Sequence, residues 1–303
     1  FYDLNNCPQI TKKFDLMFDG LKDNLSFNNK VFGVPYIVTV DAWKVNTALI
    51  DTLNLDYPEE NWTWDDFYIY AKRARQDLNG DGKPDTYVAE LQKTSPYFMN
   101  QYNSAYLDIY QKTANYNNEE FVNLLKLWKI FFKEDLVENN RHSNNDEKDN
   151  ILLFTKQQYL RTSVEDGCFI HVPTLKSKRI YNNQIEFFSV NKKSYNIDAC
   201  INFLEIYLSE EVQRINCGFG FYKDRNIYNT DEVVKLKNLP LEITSVKNFE
   251  LINTALKYSK PSVFIGDFGK YSKEVITNYL IDSITAEEAA HLIDEKAKMI
   301  VGE

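Results

Sequence analysis

Residues 31–87 carry the feature that most limits what this chain can become. A proline-marked apolar segment, VFGVPYIVTVDAWKV, ends at a polar Asn46, and a second stretch, NWTWDDFYIYAKRARQDLNGDGKPDTY, follows it. The run VFGVPYIVTV predicts a strand after a turn at Asn28–Asn29. In the second stretch Thr63 is placed to cap a helix and Asp66 to complete its capping box. Phe67, Tyr70, Ala71 and Ala74 share one helix face, and Arg73 and Arg75 lie at the end where positive charge suits the dipole.

That helix runs into DLNGDGKPD, where oxygen side chains alternate at Asp77, Asn79, Asp81 and Asp85. Gly82 sits at the sharp turn of a calcium loop, and the Lys83 carbonyl at its backbone-oxygen position. Ca²⁺ takes about six to eight hard oxygens, so Asp77, Asn79, Asp81, Lys83 and Asp85 are the candidate ligands. The bidentate Glu of a full EF-hand would fall at Val88, and Glu90 lies beyond it. A solvated, Asx-rich turn is the alternative.

Taken in order, GVPY, the run ending at Asn46, ALIDTLNLDYP, TWDDFYIYAKRA and DLNGDGKPDTY resemble the family 1 extracellular solute-binding proteins of bacterial ABC importers. That family shows a G-[LI]-P-Y strand, a YN-K-DLF segment, a G-L-P turn, a T-W-[DE]-E-[FL] helix and often a D-x-[DN]-G-D-G-K-x-D loop. Later, IEFFSVNKKSYNIDACINFLEIYLSEEVQRINCGFGFYKDRNIY and TAEEAAHLIDEKAKMIV resemble its later blocks and closing helices. The family's F-x-x-G-K-x-A-M pattern has no counterpart in NILLFTKQQYL, which reads as strand then helix.

The resemblance implies an α/β, two-lobed, type II periplasmic-binding-protein-like fold with strands crossing a hinge. It places residues 1–40 plus 188–223 in lobe 1, and 41–187 plus 224–303 in lobe 2. By the family pattern more of lobe 1 precedes the GVPY strand than the 32 residues found here, so that lobe is expected to be incomplete at its N-terminus. The implied function is capture of a sugar or oligosaccharide in an interlobe cleft and its delivery to ABC permease subunits. The implied location is extracellular: a surface lipoprotein of a Gram-positive bacterium, or a periplasmic protein. Its membrane link would be a lipid anchor outside this chain.

The expected ligand contacts are Tyr36, Asp41 and Trp43 near the first crossing, and Phe264, Asp267 and Phe268 from the second lobe. Asp41 and Trp43 share a strand face, which suits a hydroxyl contact beside ring stacking; hinge packing of Trp43 is the alternative. Tyr97, Tyr102 and Tyr106 either face a pocket or cover a sheet. His171 lies between apolar neighbours and reads as structural, with a place in the cleft wall as the alternative, and His142 as a surface residue.

Bulk numbers narrow the class. Lys plus Arg is 35 and Asp plus Glu 44, a net charge of −9. An acidic chain without a basic stripe is a poor nucleic-acid binder, because phosphate affinity rests on Lys and Arg. Aromatics reach 15%, which suits a thick aromatic core or a stacking site. The four cysteines, Cys7, Cys168, Cys200 and Cys217, form no C-x-x-C pair; Cys200 reads as a small core residue, with a bond to Cys217 as the alternative. No apolar run approaches the ~20 residues of a spanning helix.

Further helices are expected at Ile10–Asp19, at NEEFVNLLKLWKIFFKEDL with Trp128 in its apolar stripe, after Asn196, at 241–258, and after a Thr285/Glu288 capping box. IEFFSV (185–190) reads as a buried strand. Gly218 and Gly220 are not a phosphate loop. The carboxylate pairs Glu59–Glu60 and Asp65–Asp66 are sequence neighbours, which do not face each other across a bond, so no glycosidase is read. The non-enzymatic alternative is a surface protein of the same fold that has lost solute binding and serves a structural or adhesive role.

Overall fold

The computed structural model describes residues 1–17, 20–90, 101–109, 111–138, 150–159, 168–209, 211–212, 246–261 and 266–302. Its elements are α1 (Pro8–Phe14), α2 (Leu21–Asn24), β1 (Ser26–Phe27), β2 (Lys30–Val31), β3 (Val34–Val45), α3 (Thr47–Leu53), α4 (Trp64–Ala74), β4 (Leu107–Asp108), β5 (Thr113–Ala114) and α5 (Glu119–Lys133). Then come β6 (Leu153–Tyr159), β7 (Cys168–His171), β8 (Tyr181–Phe188), α6 (Ile197–Tyr207), α7 (Val246–Lys257), β9 (Ser259–Pro261), α8 (Gly266–Leu280) and α9 (Ala286–Gly302). Helices and a mixed sheet make this an α/β protein.

The chain divides into two compact units. Unit 1 is Phe1–Ala42, Lys156–Phe169 and Tyr181–Pro261; unit 2 is Trp43–Thr155, Ile170–Ile180 and Ser262–Glu303. Residues 41–42, 156–159, 168–169, 181–187 and 246–261, expected with the second lobe, fall in unit 1; β8 runs unbroken through 181–187.

Unit 1 is built on the antiparallel pair β3–β8. β9 joins β8 in parallel, from Tyr181↔Ser259 to Asn183↔Pro261. Only Tyr181–Asn183 of β8 is fully buried, and Phe187 is exposed. The expected buried strand at 185–190 is therefore corrected: beyond Asn183 the partnership with β9 stops. Asn28 and Asn29, both at positive φ, form the two-residue turn between β1 and β2. The helix expected over Ile10–Asp19 stops at Phe14. Gly20 then turns the chain at φ +86°, and a Cβ there would lie 2.5 Å from the Leu256 carbonyl oxygen. Asn196 stands at the N-cap of α6 but makes no capping bond. Cys7, Cys168 and Cys200 are free thiols, with Cys200 only half-buried; Cys217 lies outside the described residues.

Unit 2 packs helices round an aromatic core. Trp43, Trp64, Phe67, Phe121 and Phe131 are almost fully buried. The stripe on α5 buries Phe121, Leu124, Leu125, Trp128 and Phe131, while Phe132 stays partly exposed. Both capping boxes form. Thr63 Oγ1 accepts from Asp66 N at 3.3 Å while Thr63 N donates to Asp66 at 2.8 Å. Thr285 N donates to Glu288 at 2.8 Å, and Glu288 N to Thr285 Oγ1 at 3.1 Å. Asn46 caps α3, accepting from Leu49 N at 3.1 Å. Lys129 is nearly buried and closes the end of α8, donating to the Tyr279 carbonyl at 2.7 Å and to Asp282 at 2.6 Å.

Candidate functional site

Unit 2 carries a cavity of about 480 Å³ lined by Thr63, Trp64, Asp65, Glu119, Glu120, Asn123, Leu124, Thr174, Lys176 and Ser177. Two helix starts and one loop shape it. The capping box fixes the start of α4, and Asn118, accepting from Phe121 N at 2.9 Å, fixes that of α5. The loop is tied to α4 because Thr174 N donates to the Trp62 carbonyl at 2.9 Å and Trp64 N to the Thr174 carbonyl at 3.3 Å. Its own turn closes where Ile180 N donates to Thr174 Oγ1 at 2.9 Å, and Oγ1 donates to the Lys178 carbonyl at 3.1 Å.

Two further side chains hold this loop. Buried Gln101 accepts from Trp64 Nε1 at 2.7 Å and donates to the carbonyls of Pro173 (2.7 Å) and Ile180 (2.9 Å). Glu120 accepts from Ser177 N at 2.8 Å, from Ser177 Oγ at 2.7 Å, and from the Tyr106 hydroxyl. Burial pushes the Glu120 carboxyl up, but those hydrogen bonds and the Lys178 ammonium outweigh it and hold the group below its ordinary range. Sequence reasoning found none of these contacts. Gln101 and its partners, and Glu120 and Ser177, lie 37 to 79 residues apart along the chain, and no spacing marks them.

The expected ligand residues do not line this cavity. Tyr36 is half-buried in unit 1. It sits where the register with β8 shifts between Pro35 and Ile37, its hydroxyl donates to Glu186 at 2.6 Å, and its ring stacks on Phe188 at 4.7 Å. Asp41 is buried beside Asn182, whose amide donates to it over 3.4 Å. Burial pushes its carboxyl up to about 7, against a small pull from that amide.

Trp43 is fully buried, with Trp62, Trp64 and Phe67 rings at 5.7, 6.1 and 5.1 Å. Of its two expected readings, the structure has the packing one. Phe268, expected to present its ring, is instead 1% exposed and packs on Tyr116 at 5.7 Å. Asp267 is exposed at the start of α8. Phe264 and Tyr97 lie outside the described residues, as does His142. Tyr102 and Tyr106 are buried against Phe121. His171 is buried, and burial, with Arg179 adding to it, lowers its imidazole to about 4.

The acidic loop closes on itself. Asp77 accepts from Gly80 N and Gly82 N, both at 2.7 Å, and Asp85 from Leu78 N at 2.7 Å and Asn79 N at 3.1 Å. Those bonds, led by Gly82, lower the Asp77 carboxyl. Gly80 and Gly82 both take positive φ, as the tight turns require. Val88, at the twelfth position of a calcium loop, is buried. Among the described residues no group of three or more His, Cys, Asp or Glu is arranged round a metal position. The oxygen donors suit a hard cation in kind, and they are one protein ligand short of a full loop.

The architecture is that of two-lobed, periplasmic-binding-protein-like proteins. The sugar transporter from Rhizobium etli, in an open conformation, shares the fold at TM-score 0.71 and 13% identity, over 98% of this chain and 79% of that one. An ABC substrate-binding protein from Listeria monocytogenes in complex with cycloalternan matches at TM-score 0.68 and 16% identity, over 99% and 80%. The cyclic alpha-maltosyl-1,6-maltose binding protein from Arthrobacter globiformis matches at 0.68 and 12%, over 99% and 79%. No family model and no curated protein sequence matches the chain.

Proposed function

We propose that this chain is the extracellular solute-binding subunit of an ABC importer, capturing a sugar or oligosaccharide and passing it to permease subunits. The observation that carries this reading is a fold shared over nearly the whole chain with proteins whose names make them sugar binders or sugar transporters. The acidic charge agrees with it. No helix among the described residues is long and apolar enough to cross a membrane; attachment through a lipid anchor is part of the proposal. This reading keeps Tyr36 and Asp267 as ligand contacts and gives Trp43 and Phe268 a packing role. It assigns Ca²⁺ to Asp77, Asn79, Asp81, the Lys83 carbonyl and Asp85, with water completing the shell.

A thermal-shift screen of sugars and polyols, followed by calorimetry, tests the proposal. At least one carbohydrate is expected to raise the melting temperature and bind. Stabilisation by none, together with capture of a protein partner, would favour a structural or adhesive role.

A further inference from the structure

The cavity of unit 2 has a division of labour. Glu120 and Gln101 are committed to holding its walls, and Thr63 and Thr174 to closing the turns beside it. Glu119 and Asn123 are exposed and have no side-chain partner among the described residues. Asp65 meets Lys176 only loosely, at 3.9 Å, with both side chains mostly exposed. The groups round the opening that are not committed to its walls are thus two carboxylates, one amide and one ammonium.

We propose that this cavity is a carbohydrate subsite, with Glu119, Asn123, Asp65 and Lys176 as its contacts and Gln101 and Glu120 as the positioning residues that fix its shape. It rests on the sugar-binding reading above.

Chemistry selects the ligand class. Acceptors outnumber donors round the opening, which suits a ring whose hydroxyls donate outward. The volume lies within the ~300–1,000 Å³ of small-ligand sites, so the end of a short neutral oligosaccharide fits better than an ion.

Preorganisation comes from buried bonds. Gln101 uses its carbonyl and both amide hydrogens to join α4 to both ends of the loop, and Glu120 clasps the middle at Ser177. A loop held in this way need not be ordered when a ligand arrives, which spares that cost in binding.

Calorimetric titration of the full chain with maltotriose and chitotriose, on four proteins, tests the assignment. For whichever sugar binds the wild type, Glu119→Gln combined with Asn123→Ala should weaken binding at least tenfold and leave the melting temperature unchanged. Glu120→Ala should weaken it more than Glu120→Gln, because Gln keeps an oxygen for Ser177 N. If the Ala variant does not fold, the doubly substituted protein decides alone. Equal affinity of that protein and the wild type would overturn the subsite and leave sugar binding intact. No binding by the wild type to these or any other sugar would overturn the sugar-binding reading, and the subsite with it.

Discussion

Replacing Trp43 separates a core role from a ligand role. The side chain is 0% exposed, and three aromatic rings stand within 6.1 Å of its own. Truncation of a buried Trp to Ala costs about 3–5 kcal/mol, from lost transfer energy and the cavity left behind. Complete burial puts Trp43→Ala at the upper end.

Trp43→Phe should behave differently. Its indole Nε1 is buried with no hydrogen-bond partner among the described residues. An unpaired buried donor costs about 1–3 kcal/mol, and Phe removes it. The smaller ring gives up roughly 1–2 kcal/mol of packing at ~24 cal/mol per Å³ of cavity plus the transfer loss. The two effects nearly cancel, so Trp43→Phe should stay within about 1 kcal/mol of wild type. Urea unfolding followed by far-ultraviolet circular dichroism measures both. With a slope of ~3 kcal/mol per molar, the Ala midpoint should fall by roughly 1.3–1.7 M and the Phe midpoint by less than ~0.4 M. Equal losses would show that the indole N–H stabilises the fold. A wild-type midpoint for Trp43→Ala, with sugar binding abolished, would return Trp43 to the ligand.

Asp41 and His171 give opposed pH dependences. The Asp41 carboxyl is raised from 3.8 to about 7, so the protonated form favours folding. Its contribution is full below pH ~3.8 and is lost as pH rises through ~7, about 4 kcal/mol in all. Urea titrations at pH 5 and 8 should show wild type losing ~2–3 kcal/mol relative to Asp41→Asn; parallel profiles would contradict this. His171, lowered from 6.5 to about 4, contributes stability above pH 6.5 that is lost as pH falls toward 4, and His171→Asn should flatten that limb. For the acidic loop, EDTA should lower the melting temperature and Ca²⁺ restore it; an unchanged melt removes the metal. Gln101→Leu strands the Trp64 N–H and two buried carbonyls, so it should cost about 2–4 kcal/mol by urea unfolding.

What the sequence made legible was local. Thr63 with Asp66, and Thr285 with Glu288, lie three residues apart, and such caps follow from backbone geometry alone. The stripe on α5 followed from 3.6-residue spacing, and the Asn28–Asn29 turn from residue type. Exposure along β3 was not legible, because Val38 to Trp43 are buried without a break and alternation cannot tell their faces apart. Asp41 and Trp43 therefore read as a presented pair and are found covered. The cavity was hidden for another reason. Gln101 reaches Trp64 across 37 residues, and Glu120 reaches Ser177 across 57. Chain folding brings such polar groups together, and no periodicity marks them. Phe268 had an aromatic residue's two options, and its contact with Tyr116, far away in sequence, chose the core.

Calorimetric titration of the intact chain with a panel of neutral oligosaccharides addresses the central claim most directly. Saturable binding of at least one of them is expected, with about 2.7 kcal/mol of added stability at a hundredfold excess over the dissociation constant. Heats indistinguishable from dilution across the whole panel, with an unmoved melting temperature, would contradict it.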